Sequence, residues 1–420
     1  IVFSGFAANG GAANVGWTGY PPLSELRWSP STGVDLWIVG LSLAGIATIM
    51  TALNLVTTIV LYRAPGMTMW RMPIFTWEIL ATSALILMAF PSLTAAFSLL
   101  LIDRIAGGHA FDPTGGGDPV LYQHLFWFLG HPEVYIIILP VFGVVSEIVP
   151  VFSRKPLFGY VGLVLASLAI VGYSMSVWAH HMFTTGAVSN PFFAATSMAI
   201  AVPTGIKFFN WIGTMVGGRL RFSVPMLFVL GFLLNFLIGG VTGVMVASPP
   251  VDYQVHDTYF VVAHFHYTLM GGAAFGIMAA IYFWWPKITG FRLDERLGRV
   301  TFGLLFVGFN ATFWPQFVLG QRGMPRRIVD YPPGLGWGTL NLVSTLGSYV
   351  IALGVVAFLA DVVVSWRRRR PAGDDPWGGF SLEWATSSPP PEHNFDRLPR
   401  IRNERPALEL REPGVQEAEG

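Results

Sequence analysis

The 420-residue sequence contains no cysteine. That excludes a disulfide framework, a thiolate-bound iron–sulfur cluster and a zinc–thiolate site within the chain. Charge is the second scarcity. Only 12% of the residues are Asp, Glu, Lys or Arg, against about 25% in an ordinary soluble domain. So few charges do not cover a water-facing surface for a chain of this length, which argues against a soluble enzyme and against a disordered chain. The net charge is +1 and the basic residues are few and sit in short loops, so no nucleic-acid surface is expected. A Met start is also lacking: the sequence begins at Ile1 without a signal-peptide pattern, and its beginning is expected to be missing.

What is present is apolar: 53% of residues are hydrophobic, 14% are aromatic, and the mean hydropathy is +0.56. The expected fold class is all-α, a polytopic transmembrane helix bundle. A bilayer-crossing helix needs roughly 20 mostly apolar residues. Nine runs qualify: Leu36–Tyr62, Ile79–Ile102, Tyr122–Val149, Phe158–Phe183, Phe192–Val216, Val224–Ala247, Thr258–Trp285, Phe302–Leu319 and Thr339–Trp366. Pro140, Pro203 and Pro225 lie inside or at the start of runs, where a membrane helix kinks and does not break.

Basic residues alternate between the loops. Arg63, Arg71, Arg154, Lys155, Arg219, Arg221, Lys287, Arg292, Arg296, Arg299 and Arg367 to Arg370 follow the odd-numbered spans. The positive-inside rule puts these in the cytoplasm, with the N-terminus outside and the C-terminus inside. Arg326 and Arg327 break the trend on the outer side and are candidates for binding an anionic group. Residues 1–33 read as an outer loop, with Ile1–Phe6 as the possible end of a preceding helix. Residues 34–366 are the bundle. Residues 367–420, with Ser387-Ser-Pro-Pro-Pro391, read as an extended polar cytoplasmic tail.

Polar groups at membrane depth are costly and usually functional. His131 and Tyr135, four apart, share a helix face about 6 Å apart along the axis; the pair is either part of a site or an interhelical hydrogen bond. His180 and His181 are helical neighbours pointing about 100° apart. With His131 they offer a nitrogen-only donor set that suits copper or zinc. His264 and His266, two apart, point roughly 200° apart, so they serve two metals, such as two hemes, or are unrelated core histidines. Gly271 and Gly272 nearby give a flat macrocycle room to approach. Glu133 and Lys207 are isolated charges that favour their neutral forms at that depth. With no partner evident, a proton relay is favoured over a buried ion pair. His256-Asp257 at the outer mouth either ligates a divalent ion or caps a helix.

Five strings carry a resemblance: Tyr122-Gln-His-Leu-Phe-Trp127-Phe-Leu-Gly-His131-Pro-Glu133-Val-Tyr135, Trp178-Ala-His180-His181-Met-Phe-Thr184, Pro203-Thr204-Gly-Ile-Lys207, His256-Asp257-Thr-Tyr259 with His264-Phe-His266-Tyr267, and Gly323-Met-Pro-Arg326-Arg327. In order and spacing they resemble subunit I of the heme-copper terminal oxidases. The resemblance implies that His131, His180 and His181 bind copper and that Tyr135 is the tyrosine cross-linked to a copper-ligand histidine. It implies that His264 is the axial ligand of a high-spin heme and His266 one axial ligand of a low-spin heme. Trp127 is implied at the cofactor site, Arg326 and Arg327 at the heme propionates, and His256 and Asp257 at a magnesium site on the outer face. Glu133 resembles the end of one proton pathway; Lys207, Thr204 and Ser146 resemble another.

The implied activity is reduction of O2 to water with electrons from cytochrome c, coupled to proton translocation in a bacterial inner membrane. The implied partners are oxidase subunits II and III. A quinol oxidase is the close alternative. Tyr135 argues against a nitric oxide reductase, and a transporter or cofactor-free membrane scaffold is the reading from another class. The sequence departs from the family in showing nine of its twelve spans. The helix carrying the second low-spin heme ligand is not among them, which is the expected result of N-terminal truncation.

Overall fold

The computed structural model describes residues 5, 7, 10–395 and 398–410. The helix end expected at Ile1–Phe6 lies, Gly5 apart, outside the described residues. Among the described residues there is no β-strand, and nine helices are long and apolar enough to cross a membrane. They are α1 (Thr32–Leu61), α2 (Ile74–Ile105), α3 (Pro119–Ser153), α4 (Tyr160–Thr185), α5 (Asn190–Met215), α6 (Val224–Val246), α7 (Tyr259–Thr289), α8 (Glu295–Gln321) and α9 (Gly338–Arg368).

Each helix contains most of one expected run. The run Phe302–Leu319 is the core of a longer helix, because α8 begins with the polar turn Glu295-Arg-Leu-Gly-Arg299. Asp294 caps that turn by accepting from the backbone N–H groups of Arg296 (2.9 Å) and Leu297 (3.3 Å). Of the prolines, Pro140 leaves α3 continuous, while Pro203 coincides with a break in α5 at Ile200. Proline has no N–H to give the carbonyl four residues back, and its ring crowds that carbonyl.

Two local departures from α geometry fall beside the histidines. After Ser174, α4 tightens into a 3₁₀ segment, Trp178–Thr185, that carries His180 and His181 and stops at Gly186 in the left-handed region, φ +73°. In α7 a π turn, Leu269–Ala274, directly follows His264 and His266. Such π turns cluster at functional sites.

The chain forms two compact units. The first comprises Ile1–Leu61, Leu80–Ile136 and Leu168–Ile200. Its core includes Phe97, Phe111, Tyr122, Phe126, Trp127 and Phe183. The loop before α1 is tied down by the buried Arg104. That guanidinium pairs with Asp35 (2.6 Å) and donates to the carbonyls of Ser24 (2.5 Å), Ser29 (3.0 Å) and Ser31 (3.1 Å). Replacing Arg104 with alanine strips four acceptors at once and leaves Asp35 unpaired. The expected loss is about 3 kcal/mol, the low end for breaking a buried pair because Asp35 keeps some contact with water. A thermal melt of the detergent-solubilised protein checks this; an unchanged melting temperature would refute the locking role.

The second unit comprises Tyr62–Ile79, Ile137–Ser167 and Ala201–Gly420. In lipid, apolar burial does not by itself drive helices together; close packing and buried polar contacts do. Helices α8 and α9 meet through glycines. A Cβ on Gly347 would lie 2.5 Å from the Thr312 nitrogen, and one on Gly308 would lie 2.7 Å from the Ile351 nitrogen. Buried Asp361 on α9 accepts from Tyr282 Oη on α7 (3.0 Å) and from the Asp294 N–H (2.9 Å), joining three helices.

The polar tail, expected as an extended segment, is packed in its described part and carries two short helical turns, Leu382–Ala385 and Pro406–Glu409. Lys287 Nζ donates to the carbonyls of Asp374 (2.9 Å) and Thr386 (2.7 Å), and Trp284 Nε1 donates to Glu383 (2.9 Å). Trp384, Ile401 and Ala407 are buried. Apolar and aromatic residues spaced along this polar stretch give it a face to dock.

Candidate metal centre

In the first unit, one nitrogen from each of His131, His180 and His181 lies within 4.8 Å of the others. Helix α3 supplies His131, and the 3₁₀ segment of α4 supplies the adjacent pair. On a 3₁₀ path neighbours diverge by about 120°, a wider splay than the α-helical spacing leads one to expect. Side-chain rotation still brings the two ring centroids to 4.3 Å and their Nε2 atoms to 3.1 Å. The His131 ring stands 4.5 Å from that of His180, nearly perpendicular to it, and 5.8 Å from that of His181.

Neighbouring groups fix the ring orientations. Trp127 stacks on His181 at 3.8 Å with planes 15° apart, and its own Nε1 donates to Tyr20 Oη. Ser197 Oγ lies 2.7 Å from His180 Nδ1. A hydrogen bond there sets the tautomer and directs the opposite nitrogen toward the cluster. Three converging imidazoles, largely shielded from solvent, fit copper by donor type. Ser197→Ala is expected to weaken copper retention about 10- to 100-fold, the usual effect of losing a ligand's supporting hydrogen bond. Copper titration against a competing chelator measures it, and wild-type affinity would show that the serine only packs.

Tyr135 lies on the same face of α3 as His131, with ring centroids 4.8 Å apart. Glu133, between them, is half-buried and makes no ion pair among the described residues.

In the second unit, His264 and His266 face different neighbours, as their spacing implies. His264 Nδ1 is 3.0 Å from the Gly239 carbonyl and 3.2 Å from Thr242 Oγ1, both on α6. The carbonyl requires a proton on Nδ1, which leaves the Nε2 lone pair for a metal. His266 Nδ1 is 2.8 Å from the Val262 carbonyl, and its ring stacks on Phe313 of α8 at 4.2 Å. The same logic directs its Nε2 to a ligand. Both residues therefore fit axial ligation of iron.

The expectation for Gly271 and Gly272 is corrected. A Cβ on Gly271 would lie 2.7 Å from Asn235, and one on Gly272 2.6 Å from Phe236. These glycines admit α6, not a macrocycle.

At the mouth of α7, Asp257 and Arg326 form an ion pair, and the Arg326 N–H donates to the Asp257 carbonyl (2.9 Å). This pairing joins the loop before α7 to the loop after α8. His256 turns to Asp252 (3.7 Å), whose carboxyl burial pushes up to about 7. Asp257 and Arg327 both adopt left-handed backbone, φ +58° and +64°.

Lys207 is not isolated, contrary to the sequence-based expectation. Its Nζ donates to Glu78 Oε1 (2.6 Å) and to Ser167 Oγ (2.6 Å). One turn further along α5, Trp211 Nε1 donates to Ser146 Oγ (2.9 Å). Phe142 lies against both, 5.3 Å from Nζ and 5.5 Å from the Trp211 ring. Thr204 is half-buried on the same helix. Sequence reasoning missed Glu78 because the apolar run begins at Ile79; α2 in fact starts at Ile74, and Glu78 is fully buried.

A membrane helix bundle with a three-imidazole cluster defines a membrane protein with a candidate metal centre. Residues 1–350 match the family described as cytochrome c and quinol oxidase polypeptide I. A probable cytochrome c oxidase subunit 1-beta of Nocardia farcinica is 58% identical over 416 residues, covering 99% of this chain and 71% of the relative. A cytochrome c oxidase subunit 1 of Corynebacterium efficiens is 56% identical, covering 98% and 71%. A heme-copper terminal oxidase dimer solved by electron cryo-microscopy shares the fold, with a TM-score of 0.63 at 21% identity, over 70% of this chain and 56% of that one. The chain belongs to the cytochrome c and quinol oxidase polypeptide I family. It is an integral membrane oxidoreductase of the cytochrome c oxidase type, and heme and copper are the cofactors its family implies.

Proposed function

We propose that this chain is the catalytic subunit of a respiratory terminal oxidase that reduces O2 to water with electrons from cytochrome c, coupled to proton translocation. The observation that carries this is the convergence of His131, His180 and His181 with Tyr135 one helical turn from His131. The named relatives are cytochrome c oxidases, which favours that donor over quinol.

His131, His180 and His181 hold copper, with Trp127 and Ser197 fixing the imidazoles. His264 would hold the high-spin heme through Nε2, and His266, facing other neighbours from the same helix, would hold the low-spin heme. When bound, these metals supply electrons to O2. Tyr135 holds a transferable proton at its phenolic oxygen close to the copper ligands, and its ring adds a further electron. Enclosure of the site excludes bulk water, so protons arrive through side chains. Glu133 ends one route; Lys207, Thr204 and Ser146 line the other. Arg327 makes no ion pair among the described residues, and with Arg326 it takes the heme propionates. His256 and Asp257, with a ligand from a neighbouring subunit, hold magnesium on the outer face. Subunits II and III complete the complex in the bacterial inner membrane, with the C-terminus in the cytoplasm.

Oxygen uptake by the purified complex decides between donors. Rapid uptake with reduced cytochrome c and little with a soluble quinol supports the reading; the reverse pattern makes the complex a quinol oxidase.

A further inference from the structure

Among the described residues, Lys207–Glu78 is the ion pair with both side chains fully enclosed, each 0% exposed. A pair kept only for stability is a poor bargain at such depth, since desolvating two charges offsets much of their attraction. Its hydrogen bonding is also lopsided. Lys207 Nζ and Ser167 Oγ both converge on Glu78 Oε1, at 2.6 and 2.7 Å. Glu78 Oε2 is buried with no hydrogen-bond partner among the described residues. A carboxylate satisfied on one oxygen and bare on the other has one proton-accepting position left.

We propose that Glu78 is a relay residue for Lys207: it receives each replacement proton at Oε2, and rotation of the carboxyl group then presents that oxygen to Nζ, which lies 2.6 Å from Oε1 in the structure. The inference rests on the reading of Lys207 as part of a proton pathway and adds an acid that the reading lacks. The steps balance. At rest the pair is ammonium and carboxylate, neutral overall. When Lys207 releases its proton onward, an amine and a carboxylate remain, and the pair carries one negative charge. In a low-dielectric interior that charge draws in the next proton strongly. Uptake at Glu78 gives amine and carboxylic acid, again neutral. Transfer of the proton from the carboxyl to the amine restores the resting ammonium–carboxylate pair, and the pair stays neutral overall. Ser167, touching both partners, holds them in register.

The test uses the purified holoenzyme, with proton uptake followed by a pH-indicator dye on rapid reduction by ascorbate and a soluble one-electron mediator. Four variants are compared with wild type: K207M, E78Q, the E78Q/K207M double variant, and E78D. Unchanged heme spectra certify that each is assembled. The proposal expects K207M and E78Q each to slow uptake about 100-fold. It expects the double variant to be no slower than K207M alone, since both changes cut one relay. E78D keeps the charge and draws the carboxylate back by one methylene; slowing of about threefold or more is expected, well short of E78Q. E78D also serves if E78Q does not assemble, because a mere counter-charge would be replaced by Asp at no loss of rate. Wild-type uptake in E78Q or E78D while K207M is slow overturns the relay and leaves Lys207 on the pathway. Wild-type uptake in K207M overturns the reading of Lys207 itself.

Discussion

Replacing His264 with alanine is expected to abolish the CO-sensitive heme band and to leave the low-spin band in place. Alanine favours the helix, so α7 persists. What disappears is the imidazole whose Nδ1 is held at the Gly239 carbonyl and whose Nε2 is thereby left for a metal. His266 packs on Phe313, away from α6, and keeps its own hydrogen bond to Val262. Loss of a supporting hydrogen bond typically costs 10- to 100-fold; loss of the ligand itself should cost more than about 100-fold in turnover. Absorbance difference spectra of the purified variant, with and without CO, check it. A surviving CO-sensitive band would place the high-spin heme on another residue.

Tyr135→Phe is expected to be nearly as damaging with far less structural change. Phenylalanine fills the same volume on the same face of α3 and removes only the hydroxyl. The three histidines keep their arrangement, so copper content and heme spectra should match wild type. Turnover should fall by about 10²- to 10⁴-fold, the span for losing a positioned proton donor. The informative result is this split between intact cofactors and lost turnover. Oxygen uptake within a few-fold of wild type would reduce Tyr135 to a packing partner of His131.

Much of the fold was legible because a bilayer imposes length and hydropathy on each helix. The nine spans follow from that constraint. The start of α8 does not, since its first turn is polar and its beginning is set by the Asp294 cap. The histidine site was legible because spacing on one helix fixes direction: His131 with Tyr135, and His264 opposite His266. Contacts between distant segments were not. Ser197 reaches His180 from the next helix, 17 residues on. Asp257 and Arg326 are 69 residues apart and Glu78 and Lys207 are 129 apart. Such pairs depend on the depth and rotation of two helices at once, and hydropathy reports neither. The misreading of Lys207 as solitary and of Gly271 and Gly272 as a cofactor cradle has that one cause.

The central claim is that this chain's histidines assemble copper and two hemes for O2 reduction. A reduced-minus-oxidised spectrum of the purified full complex, recorded with and without CO and paired with metal analysis, tests it most directly. The account predicts bands from two hemes, only one of them shifted by CO, together with histidine-bound copper. A preparation that lacks heme absorbance and copper, or whose hemes are both insensitive to CO, would contradict it.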